Sequence, residues 1–308
     1  MKVIDGGLST ELERIGYPLD WDDPLWTSRS LLTDPDILKK AHLSFLEHGA
    51  DIILTATYQV SKDLLEQEAH MGAEDFHKLV KLAGQVAREA ADEFWEQNSD
   101  KGRNKPMIAG SVGPYGACLH DFSEYHGRYV DGMTKETLMN WHRPRVRALV
   151  EGGVDLVAIE TIPSIQEASA LLTLLEEFPS LKGWMSFSCK DKTHIGHGET
   201  FAEAANLASK HSQIMAVGAN CLPAENVTSL LRSVSACGLE KPLIVYPNSP
   251  GDQWTGDAKN LCGKATVFEL DTMVPEWIEA GARYIGGCCG MAAPDIAHLS
   301  KIIRSHSR

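Results

Sequence analysis

The sequence predicts a single domain of the α/β class, a (β/α)8 barrel of the TIM type that spans residues 1–308. Short, nearly continuous apolar runs recur along the chain and alternate with longer amphipathic stretches. Such runs are typical of parallel strands that are buried on both faces. Eight of these units, evenly spaced and starting at residue 3, fit a closed barrel better than an open doubly wound sheet.

Glycines and capping residues indicate where the helices between the strands begin and end. Gly49, Gly153 and Gly281 follow amphipathic stretches and precede a strand, as expected for a residue that ends a helix. Asp34 followed by Pro35 predicts a helix start. The candidate strands cover residues 3–7, 51–57, 107–112, 155–161, 183–189, 215–221, 243–248 and 283–289.

The composition limits the class of protein and of partner. The 308 residues carry a formal net charge of −13, so we expect small-molecule substrates and neither nucleic acid nor an anionic membrane as the main partner. The longest apolar runs, 51–56 and 154–159, are too short to span a bilayer, and we see no signal peptide. We therefore expect a cytoplasmic protein, in which seven cysteines favour free thiols, a metal site or catalysis over disulfides.

Three thiols lie on the rim where a barrel enzyme holds its active site. Cys221 ends the sixth predicted strand, and Cys288 and Cys289 end the eighth. The carboxyl ends of barrel strands share one rim. Three thiolates and one open position form a ligand set for a catalytic zinc ion, which sulfur ligands favour over magnesium or calcium. We predict a Zn²⁺ site at these residues; the alternative is that they are buried core thiols.

Polar side chains on the same rim are candidates for substrate binding. Asp5 ends the first strand and Glu160 the fourth, and a partly buried carboxylate needs a cationic partner such as a substrate ammonium. Alternatively, Asp5 is a cap and Glu160 pairs with an arginine of the barrel. Thr55 can donate to a substrate carboxylate, and Asn220 lies beside Cys221 on the rim.

Aromatic residues near the rim can stack on a cation. Trp26 follows the first strand and Tyr246 ends the seventh. Tyr115 is a candidate lid, because it lies in residues 113–133, one of two long connections that are expected to shape the site; the other is 249–266. Core packing is the alternative for Trp26.

The remaining cysteines and histidines give weaker signals. Cys189, at the end of the fifth strand, is the one rival zinc ligand by position, and the sequence assigns no role to Cys118, Cys237 or Cys262. The pair formed by His194 and His197 is weak evidence for a metal. Phosphate-binding glycine fingerprints are absent from the sequence.

Taken together, six short motifs resemble the homocysteine S-methyltransferase family. They occur in order along nearly the whole chain, and the run at residues 110–116 and the His-Arg-Pro-Arg-Val segment at 142–146 are most similar to enzymes that use S-methylmethionine. The motifs are Asp5-Gly6-Gly7 with Thr10-Glu11-Leu12, Gly110-Ser111-Val112-Gly113-Pro114-Tyr115-Gly116, Glu160-Thr161, Gly218-Ala219-Asn220-Cys221, Val245-Tyr246-Pro247-Asn248-Ser249 and Gly286-Gly287-Cys288-Cys289-Gly290.

The resemblance implies a zinc-dependent barrel with Cys221, Cys288 and Cys289 as ligands. It also implies that Asp5 and Glu160 hold the amino group of homocysteine, with Thr55 nearby. Trp26 resembles the aromatic residue that the related betaine-using enzymes place beside the methyl donor. The chain departs from that betaine-using branch after the threonines of its second strand, where it has Tyr58-Gln59.

The predicted reaction is methyl transfer from a sulfonium donor, S-methylmethionine or S-adenosylmethionine, to homocysteine, which gives methionine. A free thiol is mostly protonated at neutral pH, and zinc coordination deprotonates it. The departing thioether is neutral, so the reaction needs no general acid. Two alternatives are a zinc- or redox-sensing thiol protein without activity, and a methyltransferase that acts on selenocysteine or selenohomocysteine.

Overall fold

Eight parallel strands form a barrel in the computed structural model, which describes residues 1–100, 102–235, 238–250 and 269–306. Each of the eight predicted strands is confirmed, although several are shorter than expected. They are β1 (Lys2–Val3), β2 (Ile52–Leu54), β3 (Met107–Val112), β4 (Leu156–Ile162), β5 (Gly183–Phe187), β6 (Ile214–Asn220), β7 (Leu243–Tyr246) and β8 (Ala282–Ile285).

The strands follow chain order around the barrel, and short contacts close it between β1 and β2. Neighbours in the sequence pair with each other from β2 to β8, and β8 pairs with β1. An isolated bridge joins Ile4 to Ile52. The Asp5 amide donates to the Ile52 carbonyl at 3.0 Å, and the Asp51 amide donates to the Val3 carbonyl at 2.7 Å. The expected (β/α)8 barrel is therefore confirmed.

Helices cover the outside of the barrel, and their ends agree with the sequence signals. Gly49, Gly153 and Gly281 each follow a helix with a positive φ (110°, 78° and 107°), and the Asp34 side chain caps α3 by accepting from the Ile37 amide. None of the helices in the described ranges is long and apolar enough to cross a membrane. The helices are α1 (Leu8–Arg14), α2 (Arg29–Thr33), α3 (Pro35–Glu47), α4 (Lys62–Ala69), α5 (Ala73–Asn98), α6 (Lys135–Glu151), α7 (Ile165–Leu175), α8 (Phe201–Ser209), α9 (Ala224–Ser235), α10 (Leu270–Glu279) and α11 (Ala293–Ser305).

The hydrophobic core has two layers. The larger layer fills the space between the strands and the helices and includes Phe45, Leu171 and Trp277. The smaller layer fills the barrel interior, where Trp184 packs edge-on against Tyr246 with ring centroids 6.4 Å apart. The Trp184 indole N–H donates to the Tyr246 hydroxyl at 3.0 Å, so the interior becomes polar towards the carboxyl ends of the strands.

The long connection after β3 lies near those carboxyl ends. It contains three short 3-10 helices, at Tyr115–Leu119, Ser123–Tyr125 and Arg128–Gly132. The other long connection that the sequence singles out, 249–266, lies mostly outside the described residues.

The Asp51 carboxylate helps to close the barrel, so Asp51→Ala is expected to destabilise it. Its Oδ2 accepts from the Val3 amide at 3.0 Å, and its Oδ1 lies 3.6 Å from both Arg103 and Arg304. Loss of this acceptor should lower the free energy of unfolding by about 1–3 kcal/mol in denaturant titrations. Glu66→Ala, on the exposed face of α4, is the control and should change it by less than about 0.5 kcal/mol. Equal midpoints for Asp51→Ala and the wild type would show that closure does not depend on this carboxylate.

Candidate active site and metal centre

A cavity of about 660 Å³ opens at the carboxyl ends of the strands. Its wall combines thiols, carboxylates and aromatic rings, as the sequence predicts for this rim. The residues that line it include Asp5, Trp26, Thr55, Tyr58, Glu124, Tyr125, Glu160, Asn220, Cys221, Tyr246, Cys288 and Cys289.

The three predicted thiols meet in this cavity. The sulfur of Cys289 lies 3.9 Å from the sulfurs of both Cys221 and Cys288, and all three sulfurs lie within 4.8 Å of one another. Cys221 and Cys289 are buried and Cys288 is half-buried. They form a candidate metal site, and no other such group of ligands occurs among the described residues.

The backbone after β6 and β8 brings these sulfurs together. The sequence predicts that the cysteine pair ends a strand, but β8 ends at Ile285, because the chain then turns towards β7 and β1. The Cys288 amide donates to the Pro247 carbonyl at 2.8 Å, and the Gly287 amide donates to the Asp5 carbonyl at 3.0 Å. Successive side chains of a strand point to opposite faces. Cys288 and Cys289 lie beyond the end of β8, so this alternation does not separate their side chains.

Close packing explains why a glycine, Gly287, precedes the Cys288–Cys289 pair. A Cβ atom at Gly287 would lie 2.5 Å from the Cβ of Met291, closer than real contacts allow. Cys221 adopts a left-handed conformation, with φ of 52°, directly after β6. Its amide is held by the Tyr246 carbonyl at 3.1 Å. Such conformations are costly for a residue with a side chain and are found where the surroundings enforce them.

The thiols fit a metal cation electrostatically as well as geometrically. Interactions with Cys221 and Cys289, followed by burial, raise the pKa of the Cys288 thiol well above its usual range. Three thiolates this close repel one another, so a cation is needed to hold them in the charged form. Zinc–sulfur bonds of about 2.3 Å in a tetrahedron place sulfurs about 3.8 Å apart, which agrees with the two separations of 3.9 Å.

Asp5 and Glu160 face the same cavity and act on each other electrostatically. Burial raises the pKa of Asp5 well above its usual range and that of Glu160 to about 7. The Asp5 Oδ2 accepts from the Leu54 amide at 2.7 Å, and Glu160 accepts from the Ser111 hydroxyl. Neither carboxylate forms a direct ion pair with a Lys, Arg or His side chain in the described part of the chain. The arginine that acts on Glu160 is Arg145, whose charge lowers the pKa of Glu160 from a distance without forming a salt bridge.

The hydroxyl of Thr55 is already committed as a donor. Thr57 donates to the Ser111 carbonyl at 2.7 Å, so the contact of 2.7 Å between the two threonine hydroxyls uses the Thr55 proton. The Ser111 amide donates to the Thr55 Oγ1 at 3.0 Å. One lone pair remains. Thr55 can therefore accept from an ammonium, whereas the sequence suggested that it donates to a carboxylate.

Asn220 and Tyr246 have their polar atoms engaged by the protein. The Asn220 Oδ1 accepts from the Thr161 amide at 2.8 Å and from the Ser186 hydroxyl at 2.7 Å, and its Nδ2 donates to the Thr161 Oγ1. Because the Ser186 proton goes to Asn220, the Tyr246 hydroxyl donates to Ser186 at 2.6 Å. Asn220 thus holds Thr161 in place on the cavity floor, and Ser186 links Asn220 to Tyr246.

The aromatic residues of the cavity differ in part from those expected. Trp26 lines it, with a left-handed φ of 44° and its ring 5.9 Å from that of Trp21. Tyr115 packs against Tyr129 and Trp141, with centroids 5.4 and 4.9 Å away, and does not line the cavity. The prediction that Tyr115 is a lid is therefore wrong.

A neighbouring tyrosine of the long connection lies at the site instead. The Tyr125 hydroxyl lies 3.0 Å from the sulfur of Cys221, and Glu124 also lines the cavity. Tyr58, which follows β2, lines it too and hydrogen-bonds to Thr161. The sequence marks this connection as site-forming, but no spacing rule indicates which of its side chains point inwards.

A buried charge network behind the cavity supports the two loops that follow β2 and β3. The Arg145 guanidinium donates to the carbonyls of Tyr58 at 2.7 Å and Gly113 at 2.6 Å. It also contacts His142 at 2.9 Å, which bonds to Glu167 at 2.9 Å. The two basic residues of the His-Arg-Pro-Arg-Val segment that are buried thus position the cavity wall.

The other candidate ligands lie elsewhere. Cys189 is buried beside the Phe187 carbonyl, and Cys118 donates to the Gln59 carbonyl at 2.9 Å. His194 pairs with Asp191, whereas His197 pairs with Asp131 and Glu199. Cys237 and Cys262 lie outside the described residues.

Known proteins resemble this chain in both sequence and fold. The family model described as homocysteine S-methyltransferase matches residues 2–303. Homocysteine S-methyltransferase YbgG of Bacillus subtilis is 40% identical over 98% of this chain and 94% of its own length. Betaine-homocysteine S-methyltransferase of Drosophila melanogaster is 37% identical over 97% of this chain and 92% of its own length.

A solved structure agrees with these relatives. The metallated form of the homocysteine methyltransferase MmuM from Escherichia coli superposes with a TM-score of 0.85 and 34% identity, covering 98% of this chain and 96% of that one. The barrel, the rim cysteines and the sequence match lead to one conclusion: the chain is a methyltransferase that belongs to the homocysteine S-methyltransferase family.

Proposed function

We propose that the chain transfers a methyl group from a sulfonium donor to the thiol of homocysteine, with Zn²⁺ as its metal, in one homocysteine-binding domain that spans residues 1–308. The observation that carries the proposal is the group of three sulfurs within 4.8 Å of one another, on the wall of a cavity that also contains two buried carboxylates. The metallated form of the Escherichia coli relative supports a metal at this site.

The three cysteines would hold the zinc ion and leave one position for the substrate. A zinc ion bound there would lower the pKa of the substrate thiol and so supply a nucleophilic thiolate at neutral pH. The Tyr125 hydroxyl lies 3.0 Å from the Cys221 sulfur. It would donate to the thiolate form of that ligand and so fix its orientation.

Asp5, Glu160 and Thr55 provide the acceptors for the ammonium group of homocysteine. Burial disfavours the charged form of both carboxylates, and an ammonium between them would compensate for it. The remaining lone pair of the Thr55 hydroxyl adds a third acceptor. The Ser111 hydroxyl holds the Glu160 carboxylate in position.

In the transfer step, the bond between the homocysteine sulfur and the methyl carbon forms while the donor sulfur–methyl bond breaks. The electron pair of the broken bond stays on the donor sulfur, which becomes a neutral thioether, and the thiol proton goes to solvent. No acid is needed for the leaving group. The remaining task of the chain is to align the two sulfurs, and this reaction needs neither a Ser-His-Asp nor a Cys-His set.

The metal ligands are tested by elemental analysis of cysteine variants. We expect about one zinc ion per wild-type chain, and loss of bound zinc in Cys221→Ala, Cys288→Ala and Cys289→Ala, because two thiolates are too few for a stable site. Cys189→Ala is the matched control, since Cys189 is a buried thiol outside the group, and it should keep its zinc. Full zinc in any of the three variants would remove that residue from the ligand set.

The ammonium site is tested with Glu160→Gln. Loss of one partner of a desolvated charge pair costs about 2–5 kcal/mol, so the KM for homocysteine should rise at least about tenfold while zinc stays bound. Steady-state kinetics with homocysteine as the varied substrate measure this change. Unchanged kinetics would assign Glu160 a structural role.

The donor class is tested by comparing donors at equal concentration with zinc-loaded enzyme. The positive charge of a sulfonium donor disappears in the product, so the site should hold that charge through aromatic faces such as those of Trp26 and Tyr246, whose contacts are worth about 0.5–2 kcal/mol. We expect S-methylmethionine to react well, S-adenosylmethionine more slowly and betaine hardly at all. Faster methionine formation from betaine would refute this assignment of the donor.

A further inference from the structure

The cavity contains a third carboxylate, Glu124, to which the reaction scheme above gives no role. Glu124 belongs to the 3-10 helix Ser123–Tyr125 in the long connection after β3. Its carbonyl accepts from the Ser188 hydroxyl at 2.6 Å, after β5. The next residue, Tyr125, contacts the sulfur of Cys221 after β6. The connection thus reaches the ends of β5 and β6 and is held there at Glu124 and at Tyr125. Glu124 lines the cavity.

The Glu124 side chain is half-buried in the cavity wall, and no described cation pairs with its carboxylate. In the described part of the chain, Glu124 forms no ion pair with Lys, Arg or His. Burial, together with the negative charges of Cys221 and Asp121, raises the pKa of Glu124 to about 8. A structural carboxylate in such surroundings is normally paired. An ammonium group in the cavity would supply the missing partner.

The proposed reaction brings two amino acids into one cavity, and each carries an α-ammonium group. Asp5 follows β1 and Glu160 lies towards the end of β4, where its charge adds to burial in raising the pKa of Asp5. Glu124 lies on a different segment, the 3-10 helix of the connection after β3, which bonds to Ser188 after β5. The sulfonium charge of the donor is lost on transfer, but its ammonium charge is kept. A carboxylate that holds the ammonium is therefore not left unpaired in the product, as one that held the sulfonium would be.

We propose that the Glu124 carboxylate binds the α-ammonium group of the methyl donor and thereby selects sulfonium donors that are amino acids. This inference rests on the proposed function. It assigns each charge of the donor to a different part of the cavity: the permanent ammonium to Glu124 and the transient sulfonium to the aromatic faces. It also separates the two substrates, since homocysteine uses Asp5 and Glu160.

The test is Glu124→Gln, with two dimethylsulfonium donors, one with an ammonium group and one without it. S-Methylmethionine carries the ammonium group, whereas dimethylsulfoniopropionate, which is one carbon shorter, has a sulfonium and a carboxylate but no ammonium. With zinc-loaded enzyme, we expect Glu124→Gln to lower kcat/KM for S-methylmethionine at least about tenfold. The value for dimethylsulfoniopropionate and the KM for homocysteine should stay within about twofold. Glu136→Gln, on the exposed surface of α6, is the matched control and should leave all three values unchanged.

The other outcomes are distinguishable. Equal losses with both donors, or a loss confined to homocysteine, would overturn the role of Glu124. A wild-type enzyme that uses dimethylsulfoniopropionate as well as S-methylmethionine would overturn it even if the variant failed to fold. A wild-type enzyme that methylates homocysteine from none of the donors would instead refute the proposed function on which the inference rests.

Discussion

The closeness of three sulfurs is the constraint on which the rest of the site depends. Thiolates 3.9 Å apart repel one another unless a cation lies among them. The backbone that brings the sulfurs together is locally restricted. Cys221 takes a left-handed conformation, and the residue before Cys288 has no room for a side chain. The Gly287 amide also bonds to the Asp5 carbonyl, so the same backbone segment places the candidate metal ligands beside a candidate substrate carboxylate.

The proposed scheme places each substrate charge according to whether methyl transfer keeps it or removes it. In the scheme proposed above, groups whose charge persists through the reaction meet carboxylates, and the charge that vanishes meets aromatic rings. A lasting positive charge matters most to the carboxylates, because burial raises the pKa values of Asp5, Glu160 and Glu124. A cation beside each carboxylate would favour its charged form, and a substrate that brings one would be bound in a defined orientation.

The sequence was sufficient for the barrel and for the thiols, because both follow from local rules. Apolar runs show buried strands, and the ends of parallel strands share one rim, so Cys221 and the Cys288–Cys289 pair could be placed together although they are far apart in the chain. The alternation of faces gave a poorer account of the pair itself. Its two side chains converge because β8 ends at Ile285, before they are reached.

Contacts that depend on the path of a long loop could not be predicted in this way. Tyr125 and Cys221 are 96 positions apart in the chain. Nothing in the local pattern distinguishes Tyr125 from Tyr115, the residue that the sequence favours as a lid and that packs against Trp141 instead. The direction of a hydrogen bond cannot be predicted from sequence either. Thr57 donates its proton to the Ser111 carbonyl, so Thr55 donates to Thr57 and can only accept from a substrate.

The central claim is that the cysteine-bound zinc ion makes the substrate thiol reactive, and a metal titration tests it most directly. Zinc is removed from the folded protein by a chelator and returned in measured fractions. Methionine formation from homocysteine and S-methylmethionine is followed at each step, and circular dichroism checks that the fold persists. The account predicts that activity is lost with the metal and returns in proportion to bound zinc, up to about one ion per chain. Full activity in the folded, metal-free protein would contradict it.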